Sequence, residues 1–132
     1  ISKTISMKDS NCIFCKIVAG EIPSYKVYED ENFFAFLDIN PRASGHVQVI
    51  PKEHYRWVWD LPAGGKQGSI GEYFEVVRKI AKAQQKAFQT DLIRSQIFGD
   101  EVEHAHIWVW PNEDGGGKKD FEGNLEKIRA AL

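Results

Sequence analysis

The sequence predicts an α+β domain in which helices cover one face of a mainly antiparallel sheet. One observation is a series of short stretches rich in β-branched and aromatic residues, several with alternating apolar and polar positions. Another is the long stretch 70–88, where apolar or small residues recur at helical spacing with Gln84 as the exception. The predicted order is helix, hairpin, strand, helix, two strands and helix, which is typical of this class.

The first half of the chain contains four predicted elements joined by turns. Asn11 is expected to cap the first helix, and Gly20 and Pro23 to stop it. The acidic stretch 29–31 separates the strands of a hairpin, and 38–45 has turn chemistry throughout. The elements are a helix over 12–18, hairpin strands over 25–28 and 32–37, and a strand over 46–50 that Pro51 ends.

The second half contains the long helix and the last two strands. These strands are joined by a predicted turn at Gly99 and Asp100. The glycine clusters at 64–68 and 115–117 match no phosphate-loop pattern and are interpreted as parts of ordinary loops. The elements are a helical turn over 53–61, a loop over 62–69, a helix over 70–88, strands over 92–98 and 103–110, a glycine-rich loop over 114–120 and a helix over 125–132.

The composition is that of an ordinary globular protein and disfavours two kinds of partner. The chain has 132 residues, 42% hydrophobic and 27% charged, which suits one domain with a modest core. A formal net charge of -2 provides no basic field for nucleic acid or anionic lipid. No apolar run approaches the length of a membrane span. We therefore expect a protein that binds neither nucleic acid nor membranes. A secreted scaffold would use more cysteines at wider separation than the two present, which predicts a cytoplasmic protein.

The first residues are expected to lie outside the fold. Met7 is the only methionine and is interpreted as the native initiator, so that residues 1–6 are a remnant of the expression vector. Residues 1–10 are predicted to be flexible, and residues 11–132 to form a single domain.

The predicted strand at 104–110 carries the strongest functional signal. Its alternation places Ala105, Ile107 and Val109 towards a core. The other face is predicted to be accessible and to present two imidazoles one strand-step apart. Such a pair suggests a metal ligand, a nucleophile or an acid–base pair. The residues predicted on that face are His104, His106, Trp108 and Trp110.

The two cysteines, Cys12 and Cys15, have the spacing of a metal-chelating pair at the start of a helix. Tetrahedral zinc would need two further ligands, which the four histidines of the chain could provide. An alternative is that both thiols are small buried hydrophobes. A redox pair is disfavoured, because Ile13 and Phe14 would bury the thiols.

Three further side chains have a functional and a structural interpretation. His106 is a candidate nucleophile or base, although a lone histidine on a strand is more often structural. The second imidazole of the pair, together with His46 on another alternating strand, favours the functional interpretation. Asp38, between a strand and a turn, could bind a ligand hydroxyl or simply cap the turn.

Four stretches together resemble the histidine triad (HIT) family of nucleotide-binding hydrolases and transferases. The resemblance implies an α+β fold with a five-stranded antiparallel sheet, usually in a homodimer whose sheets join. It extends from about Asn11 to Pro111, and four linked motifs are far more specific than any one of them. They are CIFCKIVAGEIP at 12–23, FLDINP at 36–41, GHVQVIPKEH at 45–54 and HAHIWVW at 104–110.

The resemblance implies a purine nucleoside phosphate as substrate and a role for each matching residue. His106 matches the middle histidine, which attacks the α-phosphorus and forms a nucleotidyl-histidine that water resolves. His46 matches a histidine close to the phosphates, and Asp38 matches the acid that binds the ribose hydroxyls. The other nucleotide-binding positions are the apolar walls Ile13, Phe14, Ile17, Ile22, Phe36 and Ile39, and the phosphate-proximal Gly99, Glu101 and Trp108.

Family members with the cysteine pair bind zinc through it and through two histidines. The matching ligands are Cys12, Cys15, His54 and His104. Four protein ligands close the coordination shell, so the resemblance implies a structural metal.

The chain departs from the family at the third triad position, where Trp108 replaces a histidine. An indole offers one N–H and exchanges no proton at neutral pH. This departure leaves two main hypotheses: a nucleotide hydrolase or transferase suited to good leaving groups such as anhydrides or activated phosphoramidates, and a nucleotide-binding or interaction module with little chemistry. A zinc–thiolate redox protein is a third hypothesis, which depends on Cys12 and Cys15 alone.

Overall fold

The computed structural model describes residues 11–112 and 117–132, which form a five-stranded antiparallel sheet and three α-helices. The predicted flexible segment 1–10 and most of the glycine cluster at 115–117 lie outside the described residues. The helices are α1 (Ile13–Val18), α2 (Ile70–Phe88) and α3 (Phe121–Ala131), and the strands are β1 (Lys26–Glu29), β2 (Phe33–Leu37), β3 (Val47–Pro51), β4 (Ile93–Phe98) and β5 (His106–Pro111).

The sheet has the order β1-β2-β3-β5-β4, which places β5 between β3 and β4. All four pairs of neighbouring strands are antiparallel. In register, Gln48 of β3 and Gln96 of β4 both lie opposite Trp108 of β5, while Phe98 lies opposite His106. Side chains paired in this way share a face of the sheet. The predicted α+β class and antiparallel sheet are confirmed.

The main core lies between one face of the sheet and helices α2 and α3. The inward orientation predicted for Ala105, Ile107 and Val109 is confirmed, since all three are buried in this core. Tyr73 of α2 is fully buried and donates its hydroxyl hydrogen to the Val49 carbonyl at 2.6 Å, which fixes the helix to β3.

Helix α1 packs on the opposite face, against Phe34, Phe36 and Ile50. The expectation that helices cover only one face was therefore wrong. Phe34 and Phe36 alternate along β2, so their rings form an apolar surface on this face of the sheet. The apolar side of α1, which includes Phe14 and Ile17, covers that surface.

The predicted boundaries hold for α2 and differ elsewhere. Ser69 caps α2 by accepting the Glu72 amide at 3.2 Å, and the helix spans the predicted residues. Helix α1 is capped by Cys12 instead of Asn11, because the Cys12 thiol accepts the Cys15 amide. The helical turn predicted over 53–61 is present as a shorter 3-10 turn, Val58–Asp60.

The last two elements differ from the prediction for local reasons. Strand β5 begins at His106, so His104 precedes the strand, and residues 99–105 form a connection longer than the predicted turn. Helix α3 begins four residues early, because the Asp120 side chain accepts the Gly123 amide and supplies an N-cap. Among the described residues, no helix is both long and apolar enough to cross a membrane.

Gly45 positions the start of β3, and we expect Gly45→Ala to destabilise the protein by about 2–4 kcal/mol. Its φ is +79°, and an added Cβ would lie 2.4 Å from Cε2 of Phe88. Gly20→Ala is the matched control, since φ is +83° there but no atom lies within 4 Å of the new Cβ. Chemical denaturation should show the larger loss for Gly45→Ala, and equal losses would contradict the steric argument.

Candidate metal centre and histidine site

Four side chains from three separate segments of the chain meet near the start of β5. They are Cys12, Cys15, His54 and His104, and their ligand atoms all lie within 4.8 Å of one another. Cys12 Sγ and Cys15 Sγ lie 3.3 and 3.5 Å from His104 Nδ1, and Cys15 Sγ lies 3.3 Å from His54 Nδ1. Such a donor set can hold a metal ion.

Backbone contacts orient His104 for this role. Its Nε2–H donates to the Pro51 carbonyl at 2.9 Å, which leaves Nδ1 bare towards the thiols. Burial lowers the pKa of His104 to about 4, so the imidazole is neutral at pH 7, as metal ligation requires. The amide of Ala105 donates to the Tyr55 carbonyl at 2.7 Å, which joins the strand start to the segment carrying His54.

His106 is the first residue of β5, and its side chain is only 3% exposed. The prediction that this face is accessible was wrong at His106, because Phe14 of α1 packs edge-on against both His104 and His106. His106 Nδ1 lies 2.7 Å from the His104 carbonyl, which can only accept a hydrogen bond. Nδ1 therefore carries the proton, and Nε2 has a free lone pair. Burial is the main cause of the lowered pKa of His106, which favours this neutral form.

Asp38 directly follows the end of β2, and it faces His46, which directly precedes the start of β3. Asp38 accepts the Asn40 amide at 2.8 Å, the turn-capping bond expected of it, and also Gln48 Nε2 at 3.2 Å. His46 Nε2 lies 3.7 Å from Asp38 Oδ2. Burial, and after it the charge of Arg42, lower the pKa of His46 to about 4, so this contact joins a neutral imidazole to the carboxyl group. Burial raises the pKa of Asp38.

Trp108 lies on the His106 side of the sheet, as predicted, and is partly buried. Its ring contacts His46 edge-on, with centroids 4.8 Å apart, and Phe98 similarly at 4.6 Å. Trp108 Nε1, His46 Nε2 and Gln48 Oε1 are buried and have no hydrogen-bond partner among the described residues. Two donors and one acceptor are thus left for a ligand to satisfy.

The structure divides the predicted nucleotide walls into buried and exposed members. Ile13 and Ile39 are 48% and 67% exposed, which is unusual for large apolar side chains unless they border a binding cleft. Ile17 and Ile22 line a shallow cavity of about 250 Å³ beside Phe34. Phe14 and Phe36 are buried and pack edge-on, with ring centroids 5.6 Å apart.

The two phosphate-proximal positions predicted after β4 lie in different surroundings. Gly99 is covered by Trp57, and an added Cβ there would lie 1.9 Å from Cζ3 of that ring. Glu101 is exposed, borders a cavity beside Cys12 and His54, and raises the pKa of His106 through its charge.

Two polar residues of this face did not emerge from the sequence as site candidates. Gln48 interrupts an otherwise apolar strand, and that interruption was a usable signal. Arg42 gave no such signal, because it lies in a turn and its guanidinium reaches the face only through tertiary contacts with Trp108 and Trp110.

The fold and the site define an α+β protein in which a cysteine–histidine cluster able to hold a metal ion lies beside a buried histidine. Comparison with known proteins identifies its family. A model of the HIT domain matches residues 19–115, and the chain belongs to the HIT family. An adenosine 5′-monophosphoramidase of Schizosaccharomyces pombe is 39% identical over 127 residues, which cover 91% of this chain and 92% of that protein.

Two solved structures show the same fold. A HIT-like protein involved in cell-cycle regulation from Bartonella henselae is 40% identical, with a TM-score of 0.80 over 95% of this chain and 99% of that one. A zinc-bound histidine triad family protein from Mycobacterium smegmatis is 30% identical, with a TM-score of 0.75 and 91% of each chain covered. The predicted family is confirmed.

Proposed function

We propose that the chain hydrolyses or transfers the nucleoside monophosphate group of purine nucleoside phosphates through a covalent intermediate on His106. The observation that carries this proposal is the 2.7 Å bond from His106 Nδ1 to the His104 carbonyl. It fixes the tautomer in which Nε2 is the nucleophile, and it stabilises the positive charge that develops on the ring when Nε2 forms a bond.

The proposed substrate has its phosphate at His106 and its nucleoside beneath α1. Attack by Nε2 on the α-phosphorus forms an N–P bond and expels the leaving group, and water then cleaves that bond. Asp38 accepts hydrogen bonds from the ribose hydroxyls, and His46 Nε2–H donates to the phosphate. The exposed Ile13 and Ile39 border the base, consistent with an apolar nucleoside cleft.

We propose that the metal is zinc and that it is structural. Zinc–sulfur and zinc–nitrogen bonds of about 2.3 and 2.05 Å at tetrahedral angles would place S and N about 3.6 Å apart. The three measured S···N distances of 3.3–3.5 Å are close to that value. Four protein ligands leave no position for a water molecule, so the metal would supply no nucleophile.

A second candidate, a nucleotide-binding module with little chemistry, is favoured by Trp108. Its indole cannot protonate a leaving group, and loss of one positioned acid typically lowers a rate by a factor of about 10²–10⁴. This module would bind AMP or GMP without turnover.

The test is a reaction with an adenylated substrate labelled in its phosphate. The proposal predicts release of labelled AMP and a transient acid-labile, alkali-stable adduct, located on His106 by peptide mass spectrometry. Calorimetric binding of AMP with neither turnover nor adduct would establish the second candidate. Hydrolysis comparable to that of a Trp108→His variant would exclude it.

We also propose that the protein is a cytoplasmic homodimer. The edge strand β4 exposes Arg94, Ser95 and Gln96 and has a free edge within the described residues. Analytical ultracentrifugation across a range of concentrations should show a dimer of 15.0 kDa chains. A monomer at every concentration would refute the assembly.

A further inference from the structure

The turn before β3 brings one positive charge onto the histidine face of the sheet. The Arg42 guanidinium carbon lies 4.9 Å from the ring centroid of Trp108 and 5.2 Å from that of Trp110. Such a cation over two indoles is held by the ring faces while its edge stays free for hydrogen bonds.

The backbone of Arg42 also contacts His46. Its amide donates to His46 Nδ1 at 3.0 Å, so the residue that carries the charge also fixes the tautomer of His46. With Nδ1 as acceptor, His46 presents its Nε2–H to the same face as Trp108, whose ring it contacts.

The charge of Arg42 is not neutralised by its neighbours. No carboxylate in the described ranges forms an ion pair with it. Its side-chain contact is a long hydrogen bond of 3.4 Å from Nη1 to Gln96 Oε1. The exposed guanidinium lies over the ring of Trp108, whose Nε1 is a buried donor without a partner in the described ranges. His46 Nε2 has Asp38 Oδ2 3.7 Å away, so Arg42 and Trp108 are the groups that an anion would contact here.

We propose that Arg42 binds the negative charge of the leaving group, and that it thereby makes this chain prefer an anionic phosphate or carboxylate leaving group over an amine. This inference rests on the proposed function and narrows its substrate class. Trp108 is two positions after His106 in β5, so the two side chains are neighbours on this face of the sheet. Arg42, which stacks on the ring of Trp108, is therefore close to a phosphate bound at His106.

The chemistry of bond cleavage explains the preference. The His106 lone pair forms the N–P bond, and the P–O bond to the leaving group breaks with its electron pair remaining on oxygen. A phosphate or carboxylate leaves as a stable anion and needs no proton, so a fixed cation is sufficient. An amine leaving group needs a proton, which neither an indole nor a guanidinium supplies at neutral pH.

Binding of ADP and AMP to His106→Ala measures this role without turnover, and the β-phosphate of ADP then occupies the position of the leaving group. In this background, to which each further substitution is added, ADP should bind about tenfold to a hundredfold more tightly than AMP, the range of a charged hydrogen bond. Arg42→Gln should abolish the preference and leave AMP affinity within about twofold, and Arg42→Lys should restore part of it.

Lys79→Gln is the matched control, because Lys79 Nζ lies 4.8 Å from the Tyr28 ring centroid, on the α2 side of the protein. It removes one stacked positive charge and should keep the ADP preference. Equal affinity of His106→Ala for ADP and AMP, or equal weakening of both when Arg42→Gln is added, would overturn the proposal.

Turnover measurements distinguish failure of the Arg42 proposal from failure of the proposed hydrolase function. With ADP and adenosine 5′-phosphoramidate as substrates, Arg42→Gln should lower kcat/KM for ADP at least about tenfold and for the amidate by less than twofold. If the unaltered protein turns over neither substrate, the proposed hydrolase fails, while an Arg42-dependent ADP preference still supports the anion site. Equal losses on both substrates would mean that Arg42 only supports the fold.

Discussion

His106→Ala is expected to lower turnover of an adenylated substrate by at least about a thousandfold, the scale of loss when a covalent nucleophile is removed. The substitution removes the nitrogen that forms the N–P bond, whereas the nucleoside-binding residues of α1 and β2 are untouched. We therefore expect AMP affinity to change by only a few-fold. Stopped assays with labelled substrate, together with calorimetry of AMP binding, would measure the two effects separately.

Chemical rescue is the sharper control for this variant. His106→Gly leaves a space for free imidazole where the side chain packs against Phe14, and added imidazole should restore part of the turnover. The His104 carbonyl remains to accept an imidazole N–H as it accepts His106 Nδ1. If His106→Gln or His106→Ala keeps more than a tenth of the activity, the covalent route is wrong.

The sequence predicted those features that depend on local periodicity. Alternation along 104–110 correctly assigned Ile107 and Val109 to the core and Trp108 to the histidine side, because side-chain direction in a strand follows position alone. The helical repeat of 70–88 gave α2 its observed bounds. The exception within that repeat, Gln84, is buried and donates to the carbonyls of Gly45 and Val109, which ties α2 to both site strands.

Features that depend on tertiary contacts were not predictable in this way. The alternation along 104–110 cannot show that α1 covers His104 and His106, since the same alternation occurs on an open or a covered face. The metal cluster was implied by resemblance and not by spacing, because Cys12 and His104 are 92 positions apart. The contact of Arg42 with two indoles likewise depends on how a turn folds over the sheet.

Removal of the metal is expected to destabilise the protein and to impair the histidine site together. The cluster brings together side chains from the start of α1, from the segment around His54 and from the connection before β5. Without the ion, two buried thiols and a buried imidazole are left unliganded at its centre. We expect Cys15→Ser to lower the free energy of unfolding by at least about 3 kcal/mol, with a fall in Tm on the order of 10 °C.

The metal-depleted unaltered protein distinguishes loss of metal from loss of cysteine packing. After dialysis against a chelator, its Tm should fall to about that of Cys15→Ser, and stoichiometric zinc should restore the unaltered protein only. Turnover should follow the same pattern, because the ring of His104 contributes to the cluster while its carbonyl holds His106 Nδ1. If the chelator-treated protein keeps its Tm and its turnover, the cluster is stable without a metal.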